Sequence, residues 1–492
     1  MSWRQFLILA TVQLVTLLFG MTITIANVVL PQIKGSLSAT QDQIAWIVTF
    51  NLVATAVATP TTSWLAQRFG WHRLMLGAVG GFTLSSLLCG LADSLGLLIV
   101  YRVGQGLFGA PMMPLGQAIL LASFPKRQHA LVIMLWGIGG VVGPVLGPIM
   151  GGYVAEVQNW RWAFFAIVPF GVMGLIGAHF ALRGSPKAAG ARLDWTGFLA
   201  LAVAIGAAQL MLDRGQRLDW FASAEIVVEA AIAVVAFYVF VVHSLSAARP
   251  FLDPRLLLDR NFAFGLALVF VMGMLSYTPM VLFPPLLQEL RGYPDSVVGT
   301  LLASRGLGNW LSFLIVVQMT RWNAKAAVAL GLACQAVAGW AMAQLDINLS
   351  SFDVAWTNVL QGFGFGLAFT PITVLTFATL RAERVTEGTA VFHMLRNFGS
   401  SLYISLTVAF WARRSAESYA GLSVHASPAN ELFDYRGLIG GWSIDDVPGL
   451  TALSREMARQ AAMIGYIDAF FLFALVAAVG LPLVVLLRNP ER

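Results

Sequence analysis

RVGQGLFGAPMMPLGQAIL, residues 102–120, and NVLQGFGFGLAFTPITVLT, residues 358–376, are two versions of one pattern. Gln105–Gly106 aligns with Gln361–Gly362, and Pro114 aligns with Pro371 within one residue. Both runs sit in a chain of 492 residues that is 58% hydrophobic and only 11% charged. A soluble domain carries about 25% charged residues, so half the usual charge is missing. Fourteen stretches of fifteen residues or more, from 5–33 to 469–487, contain no Asp, Glu, Lys or Arg. A helix needs ~20 apolar residues to cross a hydrocarbon core of ~30 Å, and most of these stretches have that length. A β-barrel would alternate over ~10 residues, and these runs do not. Soluble enzymes, nucleic-acid binders and disordered scaffolds are excluded.

The expectation is an all-α polytopic membrane protein with fourteen spans. If spans 4 and 12 are equivalent members of two six-helix halves, spans 7 and 8 (about 196–246) are left between them, giving 6 + 2 + 6. The halves are expected at 1–183 and 256–492, with linker helices within 184–255. The first span runs from Arg4 to Pro31 without an A-x-A cleavage site, so it reads as an uncleaved helix. Cys89 and Cys334 both lie in apolar runs and make neither a disulfide framework nor a metal site. The net charge of +6 reflects topology and not a nucleic-acid partner. With a cytoplasmic N-terminus, seventeen Lys and Arg fall in the inside loops, among them Arg68, Arg73, Lys126, Lys187, Arg192, Arg249 and Arg492, against five in the short outside loops. The positive-inside rule therefore places both termini in the cytoplasm. The long polar loop at about 412–465 then faces the periplasm, either as a platform for a partner or as a tolerated insertion. Internal repeats with a midplane site between them are how many secondary transporters are built.

Several motifs carry a family resemblance. SWLAQRFGWHRLML (63–76) resembles the cytoplasmic signature G-x-L-A-D-R-x-G-R-K of the major facilitator superfamily. Leu65, Ala66, Arg68, Gly70 and Arg73 fit, whereas Ser63, Gln67, Trp71 and His72 depart. In that family the acid and the bases form a latch on the inward side, and Gln67 leaves at most a hydrogen bond. Leu98, Arg102, Gln105 and Gly106 match L-x-x-x-R-x-x-Q-G of span 4. GPVLGPIMGGY (143–153) resembles the antiporter signature of span 5; Gly143, Pro144, Gly147, Pro148, Gly151 and Gly152 form a small-residue stripe for close packing and bending. NWRWAFFAIVPFG (159–171, with Ile167 where asparagine is usual), LDRGQRLDWF (212–221) and LQELRGY (287–293) complete a likeness to the 14-helix drug:proton antiporter branch. By that likeness the chain is similar to Emr-type multidrug exporters. The resemblance implies a bacterial inner-membrane location, export of hydrophobic compounds in exchange for protons, and a periplasmic membrane-fusion adaptor with an outer-membrane channel as partners.

One departure matters most. The branch signature of span 1 has a buried aspartate, and MTITIANVVLP (21–31) has Thr22 there, with Asn27 retained. Thr22 and Arg102 lie at similar depth by helical rise, and threonine cannot titrate. Proton coupling must then be sought at Asp468 in span 14, at Arg102, or at His393 in span 13. Glu229, Asp353 and His179 read more simply as interfacial or structural groups. Arg305 and Arg396 also interrupt apolar runs. A membrane interior with three arginines and one intramembrane acid points to a neutral or weakly acidic amphiphile as cargo, with Arg305 or Arg396 meeting its negative end. Trp46, Trp136, Trp310, Met112 and Met113, with Thr22, Asn27, Gln105 and Gln361, are further cavity candidates. No G-x-x-x-x-G-K-[ST] loop occurs, so nucleotide hydrolysis is not the energy source, and neither a cofactor nor catalysis is expected. The alternative is a specific metabolite or siderophore exporter, or facilitator, with altered or absent proton coupling. A non-transporting sensor would carry a soluble signalling domain, which these spans leave no room for.

Overall fold

The structure, a computed structural model, describes residues 2–39, 41–183, 193–248, 250–427, 430, 442–444 and 446–488. Lys187, Arg192, Arg249, Arg492 and the middle of the long loop lie outside the described residues, as do the side chains of Asn27 and Pro148.

Every regular element among the described residues is helical. The chain begins with α1 (Trp3–Ser36), α2 (Gln41–Ala58), α3 (Thr62–Phe69), α4 (Trp71–Gly90) and α5 (Leu95–Gly109). It continues through α6 (Met112–Ser123), α7 (His129–Val157), α8 (Trp160–Phe165) and α9 (Ile167–Ala181). Next come α10 (Trp195–Arg214) and α11 (Ala224–Ser246), then α12 (Arg260–Pro285), α13 (Asp295–Met342), α14 (Ser351–Phe377), α15 (Val385–Ser423) and α16 (Val447–Leu486). Ten helices among the described residues are long and apolar enough to cross a membrane. Two predicted spans fall within α13, which is two helices meeting at Asn323, where the backbone is extended (φ −156°, ψ 97°).

Local chemistry sets the ends. Ser2 with Gln5 and Ser350 with Asp353 form capping boxes, while Ser94, Asn159, Asp194, Asp259 and Asp446 cap other helices through their side chains. Each satisfies amide donors that a helix start otherwise leaves open. Between α3 and α4 the chain turns at Gly70 with φ 78°, a backbone shape that glycine adopts without a Cβ clash. The glycine of the 63–76 motif is thus the corner itself.

Helices α1–α9 pack mainly on one another, and so do α12–α16. With lipid as apolar as the side chains, such packing depends on close van der Waals fit and small residues. The stripe on α7 lies on α1: a Cβ at Gly143 would come 2.7 Å from the Leu17 carbonyl oxygen, and one at Gly147 would come 2.6 Å from that of Met21. The repeat recurs in space. Gly106 of α5 abuts the Asn51 carbonyl of α2, and its counterpart Gly362 of α14 abuts the Arg305 carbonyl of α13.

A chain of hydrogen bonds places both termini at one end of the molecule. Gln5 donates to the Ser123 carbonyl and Arg4 to that of Arg183. Lys126 crosses from the first group of helices to the Ala378 carbonyl of the second (2.8 Å), and Arg260 reaches the Leu486 carbonyl (2.8 Å). Helices α3 and α6 also pack on α15, so that with the Lys126–Ala378 bond they bridge the two groups of helices.

Between the groups lies α10. Gln209 donates to Ser401 (2.6 Å) and the Leu212 carbonyl accepts from Ser405 (2.6 Å), both on α15, while Thr49 of α2 donates to Asp213. The start of α10 is tied to α11 and the following segment by Asp194, which accepts from His243 Nε2 (2.9 Å) and from the Phe251 amide (3.0 Å).

Candidate functional site

A cavity of about 100 Å³, partly open to solvent, lies between the two groups of helices. Thr16, Met113, Trp136 and Pro144 line it from the first group, and Tyr277, Arg305, Phe369 and Arg396 are among those lining it from the second. No Asp or Glu is among its lining residues.

Its two guanidinium groups are held by aromatic rings. Phe365 and Phe369 stand one turn apart on α14 and both line the cavity. The Arg305 guanidinium lies 5.2 Å from the Phe365 centroid, and that of Arg396 lies 5.9 Å from the Phe369 centroid. A cation over an aromatic face gains about 0.5–2 kcal/mol, more as water is excluded. The polar contacts beyond the rings are weak: Arg305 points to Met280 Sδ (3.1 Å) and Arg396 to Asn397 Oδ1 (3.4 Å). The other wall is Trp136, whose indole N–H donates to Thr16 Oγ1 (2.6 Å). This arrangement can surround an apolar body and present positive charge to one end of it.

The structure brings together Arg305, Arg396 and Trp136 at this cavity, with Met113 rather than the fully buried Met112. Other residues expected there sit elsewhere. Thr22 is buried and returns its hydroxyl to the Leu18 carbonyl (2.9 Å), as a helical threonine does when nothing else competes. Gln361 donates to the Leu275 carbonyl (3.3 Å). Trp46 and Trp310 are exposed on the outside of the bundle. Arg102 is buried, 1% exposed, and spends its charge locally: Nε donates to the Ile47 carbonyl (3.3 Å) and a terminal nitrogen to Gln105. Gln105 in turn donates to Ser86 (2.7 Å).

Asp468 is paired with Arg414 at 2.7 Å and does not line the cavity. Glu229 pairs with Arg214 (2.8 Å), Asp353 caps α14, and His179 contacts Arg183. His393 instead joins the two groups of helices, bonding Gln117 of α6. In the 63–76 loop Gln67 donates to Ser63 (3.3 Å), while Arg68 and Arg73 are exposed.

Sequence reasoning missed Thr16, Tyr277, Phe365, Phe369 and Gln117. The i, i+4 spacing of Phe365 and Phe369 within the repeated motif was the available signal; Gln117 also lies within the quoted repeat.

Comparison with known proteins agrees with this architecture. Residues 12–403 match the model of the Major Facilitator Superfamily. The chain is 32% identical over 473 residues to the multidrug export protein EmrB of Escherichia coli (strain K12), covering 95% of this chain and 92% of that protein. It is 31% identical over 472 residues to the fatty acid resistance protein FarB of Neisseria gonorrhoeae, covering 95% and 93%. A crystal structure of the human organic anion transporter MFSD10 shares the fold, with a TM-score of 0.63 at 12% identity, covering 97% of this chain and 100% of that one. On the family match and on near full-length relatives above 30% identity, the chain belongs to the major facilitator superfamily and is homologous to the Emr-type multidrug exporters.

Proposed function

We propose that the protein is a secondary exporter of hydrophobic or weakly acidic amphiphiles of the multidrug type, working by alternating access across a bacterial inner membrane in exchange for protons. The carrying observation is the cavity between the two groups of helices, which Lys126 bridges near the termini, lined among the described residues by two guanidinium groups, aromatic rings and no carboxylate. An apolar pocket with a few convergent polar groups is the usual form of a small-molecule site. Its chemistry agrees with the name of the FarB relative, a fatty acid resistance protein.

In this reading the helices form fourteen spans as 6 + 2 + 6. The short pairs α2–α3, α5–α6 and α8–α9 each count as one span, α13 counts as two, and α10 and α11 are the linker pair between halves at 1–183 and 256–492. Both termini are cytoplasmic, so the cavity faces outward in this conformation. The glycine stripe Gly143–Gly152, a seam for bending within the first half, and the loop with Arg68, Gly70 and Arg73 are the conformational-switch elements. Among the groups considered for the proton, Arg102 and Asp468 are satisfied by local partners, which favours His393. The loop at about 412–465 would meet a periplasmic adaptor leading to an outer-membrane channel.

The buried, self-bonded Thr22 favours a second reading, in which one metabolite or siderophore is exported or equilibrated with altered coupling. Purified protein in liposomes, with an imposed pH gradient and a panel of acidic, neutral and cationic amphiphiles, separates the two. Gradient-driven transport of several acidic or neutral compounds supports multidrug antiport. Gradient-independent movement of one compound supports the alternative, and preference for organic cations overturns the cargo class.

A further inference from the structure

His393 and Gln117 are separated by 276 positions, and their hydrogen bond joins α15 to α6 across the two groups of helices. Gln117 turns its Oε1 to the ring. A carbonyl oxygen only accepts, so His393 Nε2 carries the hydrogen and Nδ1 keeps the lone pair. His393 is 1% exposed, and Nδ1 has no hydrogen-bond partner among the described residues. The Gln117 amide nitrogen is likewise buried without a partner. Trp136 stands edge-on to the ring at 5.9 Å and also lines the cavity. The two groups of helices are thus joined here by a hydrogen bond between a histidine and an amide, each with a further polar atom that has no protein partner among the described residues.

We propose that His393 is the proton-responsive residue of the transport cycle, and that a proton taken up at Nδ1 weakens the α6–α15 contact and favours opening there. This rests on the reading of the chain as a proton-exchanging exporter. The step is a simple one: the Nδ1 lone pair forms a bond to the incoming proton, no bond breaks, and the ring becomes an imidazolium. Histidine is the side chain whose ordinary range makes this accessible near neutrality. In the closed arrangement the new N–H finds no acceptor, and burial of an unpaired donor is costly. The charged side chain acting on the ring is Arg396, one turn along α15, a like charge once the ring is protonated. From α6 and α7 the ring is met by Gln117 and Trp136, neither of which titrates near neutrality. Separation of α6 from α15 admits water to the imidazolium and relieves both penalties. The proton therefore binds the open form better than the closed one, and the population shifts accordingly.

The test places spin labels near the Lys126–Ala378 bond, at Arg127→Cys and Arg381→Cys, in a full-length chain carrying Cys89→Ser and Cys334→Ser. Distances are read in lipid nanodiscs from pH 8 to pH 5.5 without any gradient. The open population of the otherwise native protein should rise about fivefold or more as pH falls, a shift of roughly 1 kcal/mol. His393→Gln keeps an amide donor for Gln117 but cannot titrate, and should hold one distance distribution throughout. Gln117→Leu removes the acceptor and should raise the open population at pH 8. If His393→Gln follows pH as the native ring does, or Gln117→Leu stays as closed at pH 8, the proposal fails. Gradient-driven uptake measured alongside keeps the readings apart. Transport indifferent to the gradient, with opening still dependent on His393, sinks proton exchange and leaves the latch.

Discussion

Phe365 and Phe369 stack with ring centroids 5.6 Å apart and planes 11° from parallel. Through this ladder, one helix carries two rings that each face an arginine from a different helix, α13 on one side and α15 on the other. The two positive charges of the cavity are thereby spaced by the pitch of α14 rather than by their own flexible stems.

Removal of either charge should show in cargo choice. Arg305→Ala or Arg396→Ala is expected to lower transport of acidic amphiphiles about ten- to a hundredfold, since a hydrogen bond to a charged group contributes about 1.5–3 kcal/mol. Neutral compounds should move within about threefold of the native rate. Competitive uptake in liposomes reads both, and equal losses for the two classes would count against a head-group role.

Phe365→Leu keeps apolar volume but removes the ring that faces Arg305. A weakened cation–π contact of about 0.5–2 kcal/mol should raise the apparent Km for acidic cargo several-fold with little change in maximal rate. Titration of transport against cargo concentration checks this, and an unchanged Km would remove the ring from the account.

The α1–α7 seam separates two neighbouring glycines. A Cβ at Gly147 meets the Met21 carbonyl oxygen at 2.6 Å, whereas one at Gly152 meets only Val28 Cγ1 at 3.5 Å, an ordinary contact. Gly147→Ala should therefore destabilise by about 1–3 kcal/mol through overpacking, and Gly152→Ala should stay within about 0.5 kcal/mol of native. Thermal unfolding in detergent orders the two.

Acid should loosen the linker pair. Burial pushes the Asp194 carboxyl up, but the Gly197 amide, His243 and the Phe251 amide together hold it below the usual carboxylate range. A carboxyl lowered on folding contributes stability that is complete above its unfolded value and lost as pH falls through the folded one. Asp194→Asn should therefore be less stable than native at pH 7, with the gap closing as pH drops below about 4. Melting curves over that range decide it, and a gap that does not change with pH would deny the ion its role.

The sequence was most legible where charge was scarce. Arg305 and Arg396 stood out because a guanidinium inside an apolar run is expensive, and both line the cavity. Arg102 stood out for the same reason, yet backbone carbonyl and amide oxygens satisfy it, which no one-dimensional pattern distinguishes. Thr16 and Tyr277 were invisible because a single hydroxyl among many apolar residues carries no such signal. The His393–Gln117 contact could not be read at all: it joins segments 276 positions apart, and depends on how two groups of helices meet. In the helices, the extended backbone at Asn323 separates the two spans of α13, a break that no glycine or proline in the sequence announced.

Helix α10 is fastened on both sides, to α15 through Ser401 and Ser405 and to α2 through Thr49. Two bodies joined by such a strut cannot rock while every joint holds. Helix α10 packs more extensively on α2 than on α15, and its Thr49–Asp213 joint is to a carboxylate, so the α15 side, held by two neutral hydroxyl bonds, is the weaker attachment. When the two groups of helices move apart, α10 is therefore expected to travel with α2, and its bonds to Ser401 and Ser405 to break first.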